Sequence, residues 1–438
     1  MKPTDTSRRR LLGGLASVPL AASLGTAGTP ALARVKTSAR IVIVGSGLGG
    51  IAVANRLSHA LDGARITIVD GREAHYYQPG WTLVASGIWP VSKVIDTNAR
   101  YHPSGAEWVK DHVAEFDPAR NAVITRGGKR IEYDYLVVAT GVQLNYGAIE
   151  GMDVSAIGQN GLTSVYASTD AAVSTWSAMD TFRGKGGKAV MTLPATPLKC
   201  AGAPIKMTFM LADRLRQAGT LAQSDVTFYS GIGAVFGVKA VNDSIIQRWT
   251  DLGVDVEYNQ RLTGIDIGSR RASFATPEGE QTTVDYDFIH VVPPMSAPDV
   301  VRHSDLSWKA GPFAGGGWLE VDEETLRHRR YPNVFGVGDI NGTRRGKTAA
   351  TIKKSAPMVA TNLIDLISGR EPSQRFDGYT SCPLILREGS AMLIEFDYDG
   401  KLTPTLPMID PMQESYFAWV MKHRMLKPAY MAVLKGRA

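Results

Sequence analysis

Two cysteines, Cys200 and Cys382, are the only thiols in the 438 residues, and they lie 182 positions apart (382 − 200). Such a pair can be buried and inert, can form one structural disulfide, or can carry out redox chemistry. Lys199 precedes Cys200 and a predicted helix follows it, and both features favour a thiolate. No C-x-x-C pair and no metal-ligand spacing of Cys and His occurs, so no metal site is predicted. The residues alone leave the structural and redox interpretations open.

A glycine-rich turn predicts a bound dinucleotide. Residues 45–50 (GSGLGG) follow a predicted strand at 40–44 and open a helix that runs to about Leu61, and a second strand at 65–69 ends at Asp70. Gly45 permits the tight turn, Gly47 lets the backbone approach the diphosphate, and Gly50 lets the helix pack on the sheet. The helix N-terminus offers free N–H groups to the diphosphate, and Asp70 is placed to bind the adenosine ribose.

Two further segments resemble the FAD motifs of flavoproteins with two dinucleotide-binding domains. Residues 133–141 (YDYLVVATG) resemble the strand that closes the first FAD half. Residues 333–339 (NVFGVGD) resemble the second FAD motif, in which Asp339 takes the ribityl hydroxyls. The resemblance implies an α/β fold with two Rossmann-like domains, of which the FAD domain is discontinuous in sequence. The predicted FAD-binding residues are Gly45, Gly47, Gly49, Gly50, Asp70, Gln78, Val113, Thr140, Gly141, Gly338, Asp339, Lys347, Thr348, Ala349 and Ala350.

The predicted middle domain argues against NAD(P)H as the electron donor. Its first strand, at 189–193, runs into residues 194–203 (PATPLKCAGA), with prolines and a cysteine where disulfide reductases carry a second glycine-rich turn. A dinucleotide would lose its anion-binding N–H donors there. A helix from about Pro204, a strand at 225–229 and a helix at 244–252 are expected to complete this unit.

The cysteine segments resemble those of sulfide:quinone oxidoreductases, in the two-cysteine subgroup that includes the mitochondrial enzyme. The likeness runs over nearly the whole chain from about Ser38 and lacks the third cysteine of other members. The segments that carry it are residues 198–204 (LKCAGAP), 377–384 (DGYTSCPL), 77–84 (YQPGWTLV), 290–296 (HVVPPMS) and 328–336 (HRRYPNVFG).

The resemblance implies the roles of both cysteines. In the oxidised enzyme they form a disulfide or a sulfur-bridged pair beside the flavin. Hydrosulfide attacks it, Cys382 becomes the persulfide, and Cys200 leaves as a thiolate that contacts the flavin. Lys347 resembles the family lysine at the flavin pyrimidine edge, and Lys199 is a candidate to stabilise the thiolate, with a solvated lysine as the alternative.

The implied partners are sulfide, a ubiquinone-class quinone, a membrane surface and a sulfane-sulfur acceptor such as sulfite, glutathione or sulfide. A homo-oligomer is also compatible with the resemblance. FAD is expected to be non-covalent, because no cysteine lies near residues 76–81, where flavocytochrome c sulfide dehydrogenase has its flavin-linked cysteine. Alternatives are a type II NADH:quinone dehydrogenase, a flavocytochrome-type sulfide dehydrogenase subunit, and a non-catalytic FAD-binding adaptor. A nucleic-acid role has no support, because the basic residues cluster in an aromatic tail rather than along a groove.

The two termini predict export and membrane contact. Residues 7–12 (SRRRLL), an apolar stretch and the small residues 31–33 (ALA) are typical of a twin-arginine signal. The tail from Gln413 interleaves Tyr416, Phe417 and Trp419 with cations such as Lys422, a pattern that can lie at the face of a bilayer or pack on the protein body. We therefore expect a monotopic protein at the periplasmic face of the bacterial cytoplasmic membrane. The predicted organisation is a signal (1–33), the first FAD part (34–155), a second Rossmann-like domain (156–300), the second FAD part (301–385) and a quinone- and membrane-associating region (386–438).

Overall fold

The computed structural model describes residues 34–437, so the predicted signal at 1–33 lies outside the described residues. Five parallel strands form the first sheet, whose central strands are β-branched and apolar and buried on both faces, as parallel sheets require. The first two predicted strands occupy the residues expected. In spatial order the strands are Val334–Gly336, Tyr135–Val138, Arg40–Val44, Arg65–Val69 and Glu107–Val109.

The first sheet joins distant parts of the sequence. Strand Val334–Gly336 pairs in parallel with Tyr135–Val138, which places Phe335 opposite Val137. Helices Leu48–Ala60 and Ala349–Ile367 pack against one another beside it. The two segments that resemble FAD motifs are therefore neighbours, and the predicted discontinuous FAD fold is confirmed.

A second five-stranded parallel sheet follows the same architecture. Its strands, in spatial order, are Leu162–Thr163, Phe288–His290, Gly187–Leu193, Ser224–Ser230 and Val254–Glu257. Three helices accompany it, Thr169–Arg183, Gly202–Ala218 and Lys239–Leu252. The second helix begins two residues before the predicted start at Pro204, and the third helix begins five residues before the predicted start at residue 244.

Smaller sheets and short helices complete the body. The three-stranded antiparallel sheets are Arg130–Glu132 with Ala122–Thr125 and Val113–Asp117, and Arg261–Asp266 with Arg271–Ala275 and Gln281–Asp285. Two-stranded pairs are Val35–Lys36 with Leu61–Asp62, Ala74–Tyr76 with Ile95–Thr97, and Gln143–Leu144 with Met295–Ser296; the short helices are Trp81–Val84 and Asp299–Arg302.

An antiparallel hairpin brings the second cysteine to the middle domain. Strands Thr380–Arg387 and Ser390–Phe396 pair with Cys382 opposite Ile394. The first of these strands packs along helix Gly202–Ala218, which begins directly after the turn that holds Cys200. The hairpin therefore sets Cys382 against the start of that helix.

The C-terminal segment folds back onto the FAD domain. It consists of helix Tyr416–Val420, a π-helical turn Met421–Met425 and helix Leu426–Leu434. The Tyr430 hydroxyl hydrogen bonds His75 Nε2 at 2.9 Å, and Asn55 Nδ2 donates to the Leu434 carbonyl at 2.9 Å. Among residues 34–437, no helix has the length and apolar character needed to cross a bilayer.

Candidate active site

The fold brings the two cysteines together. Cys200 lies in the turn before helix Gly202–Ala218, and Cys382 lies on the hairpin strand that packs against that helix. Both are free thiols in this structure, and their side chains hydrogen bond each other. The contact with Gly202 is close, since a Cβ atom there would lie 1.9 Å from Cys382 Sγ. The family resemblance implied a functional pair, and the structure brings the two cysteines close enough for one.

A lysine that the sequence did not single out bridges the pair. Lys206 Nζ lies 3.5 Å from Cys200 Sγ and 3.9 Å from Cys382 Sγ, and the side chain is only 3% exposed. Burial opposes its charge, but the two sulfurs outweigh burial and raise the Lys206 pKa. The signal that could have identified Lys206 from the sequence is its position four residues after Gly202, because residues four apart share a helix face.

Lys199, the predicted stabiliser of the thiolate, is engaged elsewhere. Its Nζ donates to Gln78 Oε1 at 2.9 Å, and burial lowers its pKa. Its Nζ also lies 5.9 Å from the centre of the Tyr166 ring, and the negative charge of Cys200 counteracts the effect of burial on its pKa. The lysine that hydrogen bonds both sulfurs is Lys206.

The pair is electrostatically polarised. The hydrogen bond from Cys382 lowers the Cys200 pKa well below its ordinary value, and the charges of Lys206 and Lys422 lower it further against the effect of burial. The same hydrogen bond, together with burial, raises the Cys382 pKa. Both directions favour negative charge on Cys200 over negative charge on Cys382.

Lys422 reaches this region from the C-terminal segment. The sequence left this tail either at a bilayer face or packed on the protein body, and here the Lys422 side chain is 2% exposed and its Nζ donates to the Pro79 carbonyl at 2.6 Å. Burial, together with the neighbouring Lys206 charge, lowers its pKa to about 7. Lys422 thus packs on the body, because the π-helical turn directs it inwards. Trp419 of the same tail is buried against the hairpin.

The glycine-rich turn is shaped for a diphosphate. A Cβ at Gly50 would lie 2.0 Å from the Gly45 carbonyl oxygen, and one at Gly45 would lie 2.3 Å from the Ala139 oxygen, so neither position accepts a side chain. At Gly47, which precedes helix Leu48–Ala60, no atom lies within 4 Å of the added Cβ. Gly49 packs against Val337 of the second motif. The open space at Gly47, at the start of the helix, is where a diphosphate fits.

Asp70 closes the adenosine side of the turn. Its Oδ2 accepts from the Ser46 N–H at 2.6 Å, and its Oδ1 accepts from the Arg72 N–H at 2.8 Å. His102, which the sequence did not single out, hydrogen bonds Ser46 Oγ at 2.9 Å, and burial lowers its pKa to about 4. Asp70 thus stands beside the glycine turn, while Val113 begins a strand of the neighbouring antiparallel sheet and is buried.

Both FAD parts have polar atoms that lack protein partners. The Thr140 hydroxyl and Asn341 Oδ1 are buried without a hydrogen-bond partner, and Gly141, at φ +71°, has open space where a Cβ would be. Asp339 lies beside Gly338, and burial raises its pKa. Unpaired buried polar atoms around open space are what a polar cofactor leaves when it is removed, so the residues present fit FAD.

The helix after the second motif points its start at the same region. Thr348 caps helix Ala349–Ile367 by accepting from the Thr351 N–H, so Ala349 and Ala350 form its first turn. Lys347 precedes the cap, its Nζ donates to the Asp339 and Asn341 carbonyls at 2.7 Å each, and burial lowers its pKa to about 7. The predicted FAD-binding residues of this segment, 347–350, therefore lie together at the start of this helix.

Comparison with known proteins gives one family. Residues 39–182 match the pyridine nucleotide-disulphide oxidoreductase family. The chain is 38% identical over 406 residues to a protein of Dictyostelium discoideum named mitochondrial sulfide:quinone oxidoreductase, covering 92% of this chain and 88% of that one. It is 35% identical over 408 residues to the protein of that name from Mus musculus, covering 92% and 87%. The solved sulfide:quinone oxidoreductase of Aquifex aeolicus superposes with a TM-score of 0.74 at 22% identity, over 91% of this chain and 92% of that one, a likeness of fold.

Proposed function

The chain belongs to the sulfide:quinone oxidoreductase family, and we propose that it oxidises sulfide at Cys200 and Cys382 and delivers two electrons through FAD to a quinone. The observation that carries the assignment of the site is Lys206 Nζ, which lies within 4 Å of both cysteine sulfurs. A buried cation between two thiols stabilises whichever sulfur holds the negative charge. A structural disulfide has no need of it.

The sulfur chemistry follows thiol–disulfide exchange. Hydrosulfide attacks Cys382 Sγ of the oxidised pair, a bond forms between the two sulfurs, and the Cys200–Cys382 bond breaks. Cys200 leaves with the electron pair as a thiolate, and Lys206 neutralises it. The polarity of the reduced pair supports this direction, because the lower pKa of Cys200 makes it the better leaving group.

The rest of the site prepares the flavin side. Bound FAD supplies the two-electron redox chemistry between sulfur and quinone. The turn at Gly47 would hold the diphosphate, Asp70 would bind the ribose, and the start of helix Ala349–Ile367, with Lys347 before it, would face the isoalloxazine end. Since no cysteine is available near residues 76–81, FAD is held without a covalent bond. A nucleophile such as sulfite, glutathione or a second sulfide then removes the sulfane sulfur.

The outer face of the C-terminal segment is the proposed membrane contact. Tyr416 is 70% exposed, Phe417 and Met425 are also exposed, and Arg424 is exposed beside them. An exposed apolar cluster next to cations suits the headgroup region of a bilayer. Quinone is dissolved in that bilayer, so the contact would bring donor and acceptor together.

Export to the periplasmic face is a separate proposal. It rests on the twin-arginine pattern at residues 7–12, while the eukaryotic relatives carry the word mitochondrial in their names. Replacing Arg8 and Arg9 by lysine should retain the protein in the cytoplasm of a bacterium that exports by this route. Recovery of the substituted protein in the periplasmic fraction would contradict the proposal.

Anaerobic stopped-flow absorbance tests the activity. Sulfide should bleach the flavin of the purified protein rapidly, and a soluble quinone should restore its absorbance. Cys200→Ser and Cys382→Ser should each abolish bleaching while FAD stays bound. Bleaching by NADH alone would favour the type II NADH dehydrogenase, and retained turnover in either serine variant would remove that cysteine from the mechanism.

A further inference from the structure

Cys200 has an unusual backbone conformation. Its φ is +51°, in the left-handed region that side chains disfavour. Six non-glycine residues of the described chain have positive φ, and three of these are asparagines, whose short amides tolerate the region. Cys200 has no such amide, so its conformation has to be held by the surrounding structure.

Three hydrogen bonds hold the Cys200 peptide groups. The Cys200 N–H donates to the Lys347 carbonyl at 2.7 Å, and the Cys200 carbonyl accepts from the Ala203 N–H at 2.8 Å. The same carbonyl accepts from the Tyr166 hydroxyl at 3.0 Å. The first two bonds are between backbone groups, so Tyr166 is the one side chain among the three partners.

Tyr166 is suited to this task. Its side chain is 3% exposed, and it lies just beyond strand Leu162–Thr163 of the second sheet. Burial, together with negative charge on the two cysteine sulfurs, raises the Tyr166 pKa well above its ordinary value. The hydroxyl therefore stays protonated and remains a donor while Cys200 is a thiolate.

We propose that Tyr166 is a positioning residue for sulfide oxidation. Its hydroxyl holds the Cys200 carbonyl and thereby keeps Cys200 in the left-handed conformation that sets its sulfur beside Lys206 and Cys382. When this bond is lost, the peptide relaxes towards the right-handed region and the sulfur moves away from its partners. The inference rests on the proposed function, because it assigns a role in the same cysteine chemistry.

The test compares Tyr166→Phe with Tyr146→Phe. Tyr146 is also buried, and its hydroxyl hydrogen bonds Ser164 Oγ at 2.6 Å instead of a cysteine. Each variant loses one buried hydroxyl and keeps its ring, and FAD content and thermal midpoint verify that both fold. Stopped-flow reduction at saturating sulfide gives the rate constant, and the long-wavelength absorbance of a thiolate beside oxidised flavin gives a spectroscopic signature. Iodoacetamide alkylation of the reduced protein, followed by peptide mapping, reports on Cys200 directly.

Tyr166→Phe should lower the rate constant by about tenfold or more, as expected for a misplaced reacting group, with a weaker long-wavelength band and an altered Cys200 alkylation rate. Tyr146→Phe should match the wild type in all three. Equal behaviour of the two variants would overturn the role of Tyr166. A wild-type protein that sulfide does not bleach would overturn the proposed function instead, and the alkylation rate would then decide on Tyr166 by itself.

Discussion

Replacement of Lys206 by methionine is the most direct test of the cysteine electrostatics. Methionine keeps an unbranched side chain of similar length and removes the charge that lies 3.5 Å from Cys200 Sγ. Because the site is buried, solvent does not screen that charge. The Cys200 thiol, whose pKa Lys206 helps to lower, should therefore become harder to ionise in this variant.

The structure sets the size of this effect. Two unit charges about 4 Å apart attract by about 4 kcal/mol at an effective dielectric constant of about 20. Lys422, whose pKa the Lys206 charge lowers, should carry more charge in the variant and offset part of this loss, and Cys382 still donates its hydrogen bond, so the net loss should be about half of that energy. Since about 1.4 kcal/mol changes an ionisation constant about tenfold, the Cys200 pKa should rise measurably. Since a leaving thiol of higher pKa leaves more slowly, reduction by sulfide should slow by about tenfold.

The assay follows Cys200 alkylation by iodoacetamide against pH, alongside the sulfide-dependent bleaching rate. In Lys206→Met the alkylation midpoint should move to higher pH and the bleaching rate should fall, while FAD stays bound. Lys206→Arg keeps the charge and should lie between methionine and the wild type. An unchanged alkylation midpoint in Lys206→Met would refute the reasoning, because it would mean that Lys206 does not stabilise the thiolate.

Three further predictions follow from the geometry. Gly47→Ala should leave the fold and thermal midpoint of the apoprotein intact but remove FAD from the purified protein, because its Cβ would occupy space left open for the diphosphate; full flavin content would contradict this. Replacing Tyr416 and Phe417 by serine should reduce co-sedimentation with anionic vesicles without slowing turnover on a soluble quinone, whereas unchanged sedimentation would place the membrane contact elsewhere. Burial lowers the pKa of His290 to about 3, so the unfolded chain binds more protons between about pH 6.5 and 3; the thermal midpoint should fall as pH falls through that window, and a flat profile would count against it.

The sequence predicted the sheets better than the helix starts. The strands of the first unit are runs of β-branched residues beside a glycine turn, a local pattern that needs no tertiary information. Helix Lys239–Leu252 begins before the predicted 244, because its first residues lack a distinct capping signal. The contact between Cys200 and Cys382 is non-local, so residue types and spacing left it open, and only the resemblance to a family suggested it.

The lysines show what sequence alone cannot supply. Lys206 has the appearance of an ordinary helix lysine, and its importance depends on burial against a hairpin that begins some 170 residues later. Lys422 lies in a basic aromatic tail, whose sequence left open whether it contacts a bilayer or packs on the protein body. Its inward direction depends on a π-helical turn and on docking of Tyr430 against His75. Removing the whole tail would therefore disturb the active site as well as the membrane contact, which is why substitutions on its outer face give the cleaner test.

The turn that holds Cys200 differs from the glycine turn of a nucleotide-binding Rossmann-like domain. In such domains the first strand ends at a glycine turn, and the helix N-terminus binds a diphosphate. Here strand Gly187–Leu193 is followed by a proline-containing turn, and helix Gly202–Ala218 begins against Cys382 Sγ. Lys206, one turn further along that helix, reaches both sulfurs. The positive end of the helix is thus kept, and in the proposed chemistry the anion it faces is the Cys200 thiolate in place of a phosphate. Restoring a glycine turn would remove Cys200 and would not rebuild nucleotide binding, because the start of the helix remains filled by the hairpin.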